Sequence, residues 1–111
     1  DVAVFPSLYE PFGIVALEAM SMEKPVVVGA NGISGMRETV IPEGPNQCGF
    51  HVNPREPTDI AWGIVNAMRS PEKKAWYGQN GRRRVLQDFS WDVIATRTAE
   101  LYTEVLESKK P

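Results

Sequence analysis

Two carboxylates, Glu10 and Glu18, stand with seven residues between them in the stretch Tyr9-Glu10-Pro11-Phe12-Gly13-Ile14-Val15-Ala16-Leu17-Glu18. Pro11 and Gly13 punctuate a loop. The apolar run after them leaves little polar face, the pattern of a largely buried helix from Gly13 to about Met22. A helix start exposes unpaired N–H groups and a partial positive charge. These favour an anion by about 0.3–1 kcal/mol, and by up to ~2 kcal/mol when partly buried. A glycine at that point removes the Cβ that would hold an oxyanion away from the backbone. Carboxylates beside an anion site are costly unless they hold hydroxyl groups, where charge-assisted bonds contribute roughly 1.5–3 kcal/mol each. An anion flanked by hydroxyl-bearing rings describes a nucleotide sugar, with Glu10 on neutral hydroxyls and Glu18 gripping a vicinal diol. Spacing alone admits a plainer alternative equally well: a loop acid and a solvated helix acid.

The elements that must position these residues are legible in outline. Asp1 to Phe5 is a short apolar run ended by Pro6-Ser7, and Val26-Val27-Val28 follows Pro25 as a second. Gly49-Phe50-His51-Val52, closed by Asn53-Pro54, is a third. Continuous apolar strands without alternation belong to parallel sheets covered on both faces. Between them lie the helix after Gly13, a glycine-rich loop from Gly29 to Gly35, a short helix starting at Met36, and a loop over 43–47. Strand and helix alternate, as in βαβ units. In open α/β sheets ligands bind beyond the carboxyl ends of the strands, so the loop before Gly13 and the loop before Met36 face one crevice. Downstream, Pro57-Thr58-Asp59 starts a helix with Ile60, Ile64, Val65 and Met68 on one stripe. Pro71-Glu72 opens another running towards Asp88, with an interruption expected near Gly78 to Gly81. Ser90-Trp91-Asp92 caps a last helix carrying Val93, Ile94, Leu101, Val105 and Leu106. The expected class is α/β, an open sheet of about three parallel strands with a helical C-terminal tail, forming a single domain over 1–111.

Composition narrows the classes. The 111 residues are 42% hydrophobic and 23% charged with a net charge of −2, which gives no footing for a nucleic-acid partner. No run approaches the roughly 20 apolar residues that span a bilayer, and the first residues lack a basic leader. Cys48 is alone, so an intrachain disulfide is excluded and a cytoplasmic setting is expected. The chain opens on a strand-like run without a methionine, so a piece of a longer protein is expected. His51 has no second histidine to share a metal, and Cys48 has no basic neighbour; both read as structural. Arg82-Arg83-Arg84 reads as a solvated helix face, and Trp62, Trp76 and Trp91 as core or helix–helix packing.

The stretch "VFPSLYEPFGIVALEAM" resembles the retaining glycosyltransferases of the GT-B fold, the large family that includes sucrose synthases, glycogen synthases and mannosyltransferases. Their hallmark is Glu, seven residues, Glu, with Pro-Phe-Gly after the first. The match extends through "KPVVVGA", "GFHV" and "FSW" before a final helix with Tyr102. The resemblance implies half of a doubly wound, Rossmann-like sheet, its strands four, five and six in the order 3-2-1-4-5-6. It implies a donor-binding set of Glu10, Pro11, Phe12, Gly13, Ile14, Val15 and Glu18. Glu10 would contact the donor sugar and carry the catalytic assignment, Glu18 the ribose, and the backbone amides the sugar and pyrophosphate. The family's Gly-Gly-x-Pro-Glu signature is met by Ser34-Gly35-Met36-Arg37-Glu38, with Ser for the first glycine and Arg for proline. Ser34, Gly35 and Glu38 would support that loop.

The implied function is transfer of a glycosyl unit from a nucleotide sugar to an acceptor hydroxyl with retained configuration, using no metal or other cofactor. This chain would be silent alone, because the implied basic clamp and acceptor domain lie upstream. The rival reading is a non-catalytic nucleotide or sugar-phosphate binding module. The strand Val2–Phe5, without its upstream neighbour, is expected to self-associate through its edge.

Overall fold

The computed structural model describes residues 1–109. Three strands form a parallel sheet: β1 (Ala3–Phe5), β3 (Val26–Gly29) and β5 (Gly49–Val52), in the order β1-β3-β5. Val4 pairs with Val27, and Val27 in turn with Phe50. Every residue of β3 is buried because it is the central strand, whereas β1 lies at an edge and is only half-buried. Val26 and Val28 face one apolar cluster with Ala16, Met20, Met36, Val40 and Cys48. Val27 faces the other, with Phe50, Val52, Ala67 and Tyr77. The unbroken Val26-Val27-Val28 run is therefore the signature of a strand covered on both sides.

One cover is α1 (Ile14–Ser21), the crossover between β1 and β3. The opposite cover is α3 (Pro57–Met68), which starts on its proline and turns Ile60, Gly63, Ile64 and Ala67 to the sheet. Val65 and Met68, expected on that stripe, are exposed instead. A helix advances 100° per residue, and the seam that packs runs one position earlier through the small residues. α4 (Pro71–Arg84) follows, capped by Ser70, whose Oγ accepts from the Lys73 amide at 3.3 Å.

α4 runs unbroken through Gly78 and Gly81, where an interruption was expected. Both glycines are buried, Gly78 against the Glu23 backbone and Gly81 against Met20 and Cys48. They give α4 close approach, not flexibility. The regular helix ends at a π-helical turn, Val85–Phe89, before α5 (Trp91–Ser108). Ser90 caps α5 as expected, accepting from the Val93 amide at 3.3 Å. None of the α5 side chains is fully buried. Trp91 is 86% exposed and does not fill the packing role expected of it, whereas Trp76 does and Trp62, though 51% exposed, does so in part. Trp62 still meets Phe50 edge-on at 5.7 Å between ring centroids.

An alanine at position 78 would gain about 1 kcal/mol of helix propensity. Its Cβ, however, would strike the Glu23 carbonyl, whose carbon lies 2.8 Å from the Cβ position. Overpacking against backbone costs about 1–3 kcal/mol. Gly78→Ala is therefore expected to lower stability by ~1–2 kcal/mol in urea denaturation, while exposed Gln79→Ala changes it by less than about 0.5 kcal/mol.

Candidate functional site

Beyond the carboxyl ends of β1 and β3 the chain forms a second, two-stranded parallel ladder, β2 (Tyr9–Glu10) with β4 (Ile33–Ser34). Strand β4 lies within what the sequence presents as a glycine-rich loop. Propensity does not predict it, since two residues carry too little pattern to read as a strand. Tyr9 pairs with Ile33 and Glu10 with Ser34. The Gly35 amide then donates to the Glu10 carbonyl at 2.8 Å. A Cβ on Gly35 would meet the Pro11 carbonyl oxygen, and would lie 2.7 Å from the Phe12 Cα. Gly35 thus lets two backbones touch, and the two signature segments form one body at the sheet's carboxyl edge, the edge at which the sequence places both loops.

From this ladder the chain turns into α1 at Gly13, which adopts the left-handed conformation at φ 89° and ψ 58°. The sequence alone points to close approach by ligand as the reason for its missing side chain. In the structure Gly13 is buried, and a Cβ would collide with Met36, whose Sδ would be 2.9 Å away. The absence of a side chain therefore serves the turn and the seating of Met36 beneath it. No side chain caps α1, and its first turn holds no acid. Ile14 and Val15 at this tip are 62% and 41% exposed, against the expectation of a largely buried helix. Only Ala16 and Met20 on α1 are fully buried, because the sheet beneath is three strands wide and covers one face.

Glu10 is half-buried and Glu18 exposed, one on each side of this uncapped tip. Glu10, with Pro11 to Val15, lines a shallow depression of about 360 Å³. Glu18 opens onto a more apolar one of about 460 Å³, shared with Leu17, Val85, Phe89 and Trp91. Phe12 and Ile14 line both. The two acids thus occupy adjoining depressions separated by the helix tip, not a single cleft.

The second loop is braced from a distance. α2 (Met36–Thr39) is one turn long, and its final carbonyls point at α4 and β5. Arg84 donates through Nη2 to the Glu38 carbonyl and through Nε to the Thr39 carbonyl, both at 2.8 Å. His51 Nε2 lies 2.7 Å from the Val40 carbonyl. The Arg84 guanidinium also lies 5.4 Å from the Phe89 ring centre, and Phe89 is 6.2 Å from Phe12. Arg82 and Arg83 are exposed, as expected of a solvated helix face, whereas Arg84 is half-buried and departs from that reading. Arg82 reaches the Ser21 carbonyl at 2.6 Å, Arg83 the Asn80 Oδ1 at 2.9 Å, and Arg84 ties the loop to Phe89 in the π-helical turn before α5. A charge run reveals nothing of the Arg84 brace, because one of its acceptors is the Thr39 carbonyl, 45 residues away. Glu38 is exposed and contributes its carbonyl to the brace. Cys48 is buried, its Sγ accepting from the Ile41 amide at 3.3 Å, and burial pushes its thiol pKa up.

Residues 1–84 match the family described as "Glycosyl transferases group 1". The chain belongs to that family. It is 41% identical over 107 residues to an uncharacterized glycosyltransferase of Methanocaldococcus jannaschii, covering 96% of this chain and 26% of the relative. Among solved structures it is similar to a sucrose-phosphate synthase from Thermosynechococcus elongatus, with TM-score 0.82 and 37% identity over 97% of this chain and 26% of that one. It is likewise similar to Anabaena HepE, solved in complex with UDP and glucose, with TM-score 0.77 and 30% identity over 93% of this chain and 27% of that one. The chain therefore spans about a quarter of the length of these proteins. Its fold is the α/β arrangement of GT-B glycosyltransferases, with three parallel strands and a helical tail. Among the described residues, no helix is long and apolar enough to cross a membrane.

Two outcomes test the brace. Arg84→Met keeps the apolar stem but removes both carbonyl partners of α2, and bonds from a charged donor contribute roughly 1.5–3 kcal/mol. It should speed amide exchange across 34–40 at least tenfold, read by mass spectrometry, while β3 amides stay protected. Burial lowers the His51 pKa in the fold, helped by the nearby Arg37 charge and opposed by the Val40 bond, so it affects stability in the same sense as a salt-bridged acid. The unfolded chain then binds more protons, so stability should be full above the ordinary histidine pKa of about 6.5 and decline as pH falls through it. His51→Gln should flatten that slope in thermal melts between roughly pH 7 and 5.

Proposed function

We propose that the protein containing this chain is a retaining glycosyltransferase that moves a glycosyl unit from a nucleotide sugar to an acceptor hydroxyl. Residues 1–111 are a single unit, the C-terminal part of its donor-binding domain. The observation that carries this reading is the uncapped tip of α1, with Glu10 and Glu18 in adjoining depressions on either side. A nucleotide sugar has the matching order of groups: a sugar, a diphosphate, a ribose. With the diphosphate over the amides of Ile14 and Val15, its sugar lies towards Glu10 and its ribose towards Glu18. The UDP and glucose present in the similar Anabaena structure support the same class of ligand.

The chemistry follows from where charge appears. As the glycosidic bond to the donor breaks, negative charge accumulates on the departing diphosphate. Fixed N–H dipoles aimed at that charge stabilise the transition state more than the ground state. Glu10 accepts hydrogen bonds from the sugar hydroxyls and holds the reacting carbon in place, while Glu18 takes the two ribose hydroxyls. Electron density leaves with the diphosphate, the acceptor oxygen bonds to the same face of the sugar, and the acceptor's hydroxyl proton passes to the departing diphosphate oxygen, so the anomeric configuration is kept. The acceptor and the charges that complete the diphosphate site belong to the remainder of the protein. The lone cysteine accords with a reducing, cytoplasmic setting for this reaction.

The test is calorimetry and turnover with the full-length protein and UDP-glucose, ADP-glucose and GDP-mannose. Glu10→Ala should weaken binding of the preferred nucleotide sugar by about tenfold or more and leave its free nucleoside diphosphate unaffected. Glu18→Ala should weaken both by a similar factor. Product anomers resolved by NMR should match the donor. Undiminished binding in both variants, or an inverted product, would overturn the reading.

A further inference from the structure

We infer that Ser34 is a positioning residue for Glu10: its hydroxyl turns to the Glu10 carboxylate when a nucleotide sugar occupies the site. The inference rests on the donor-site reading above and names a further residue in it. Ser34 is 5% exposed, and its Oγ is the buried side-chain oxygen that has no hydrogen-bond partner among the described residues. Buried hydroxyls are ordinarily paired, and each unpaired one calls for an explanation.

The ladder supplies one. Ser34 and Glu10 are paired residues of β4 and β2, so their side chains leave the same face. Their neighbours Ile33 and Tyr9 occupy the other face and are 65% and 66% exposed. The alternation thus sends Tyr9 and Ile33 to solvent, and Glu10 and Ser34 towards the covered side beneath the α1 tip. Adjacent strands lie about 4.8 Å apart, a gap that a glutamate side chain with two methylenes can close. The Glu10 Cγ is held close to Gly13, 3.2 Å from where a Cβ would sit, and the carboxylate lies beyond it.

The chemistry of the pair is complementary. A carboxylate only accepts, and a serine hydroxyl has one proton to donate. Among the described residues, no side-chain partner holds the Glu10 carboxylate and no acceptor takes the Ser34 proton. The two face each other in register across the ladder. A bond between them would fix one carboxylate oxygen inward and leave the other for the ligand. Ser34 would then act on the donor only through Glu10.

A double-mutant cycle in the full-length protein reads this directly, using the nucleotide sugar that binds best among UDP-glucose, ADP-glucose and GDP-mannose. Ser34→Ala should weaken that ligand about tenfold, leave its free nucleoside diphosphate unchanged, and have no further effect in a Glu10→Ala background. Equal losses in both backgrounds, or no loss in either, would overturn the inference and leave the donor-site reading standing. If Glu10→Ala alone has no effect, the donor-site reading fails and takes Ser34's role with it. Should Ser34→Ala not fold, a crystal structure of the unaltered protein with the nucleotide sugar decides. The Ser34 hydroxyl roughly 2.7 Å from the Glu10 carboxylate supports the role, and a hydroxyl bonded to a backbone carbonyl refutes it.

Discussion

The site depends on one close approach between backbones. Gly35 lies so near Pro11 and Phe12 that no side chain fits between them, and its amide bonds the Glu10 carbonyl at 2.8 Å. Two loops that leave different strands are thereby made into one rigid lip. Without that contact each would be a short surface connection, ordered only by its own turn residues. With it, the turn at Gly13 is pinned from below by Met36, and the entry angle of α1 follows. The orientation of the α1 tip is thus set by packing under the loop, and no capping side chain obstructs its amides.

The brace around Arg84 extends the same logic outward. Carbonyls at the end of a one-turn helix have no partners of their own, and a helix that short is marginal without tertiary support. Arg84 and His51 supply partners from α4 and β5, so the loop bearing Ser34 and Gly35 is tied to both layers of the fold. The same guanidinium lies over Phe89, beside Phe12, which links the loop to the first turns of the tail. Signature residues and tail are far apart in sequence, yet their rigidity has a common source in one arginine.

What could be read in the chain beforehand was whatever depends on local pattern. Val26-Val27-Val28 announces a doubly covered strand, Pro71 and Ser90 announce helix starts, and the Glu10–Glu18 spacing around Pro-Phe-Gly announces the family. What could not be read depends on contacts across the fold. Gly78 and Gly81 look like a break until the Glu23 backbone and the Met20 side chain are seen against them. The β2–β4 ladder has two residues per strand and no periodicity to detect. Gly13 suggests room for a ligand, and the space is filled by Met36. In each case the local signal was right about small size and silent about which neighbour required it.

Unsatisfied groups carry weight according to how rare they are in the fold. α4 and α5 use serine caps, whereas α1, α2 and α3 have no side-chain cap, so a bare tip alone does not single out α1. Exposed apolar side chains are likewise spread over α1, α3 and α5. A buried hydroxyl without a partner is a different matter, since leaving one unpaired costs about 1 kcal/mol or more. Ser34 is the one such side chain among the described residues, and it lies on the β2–β4 ladder at the carboxyl edge of the sheet, in register with Glu10. The proposed donor site therefore draws its physical support from that pairing beside the open α1 amides, and not from a lack of caps as such.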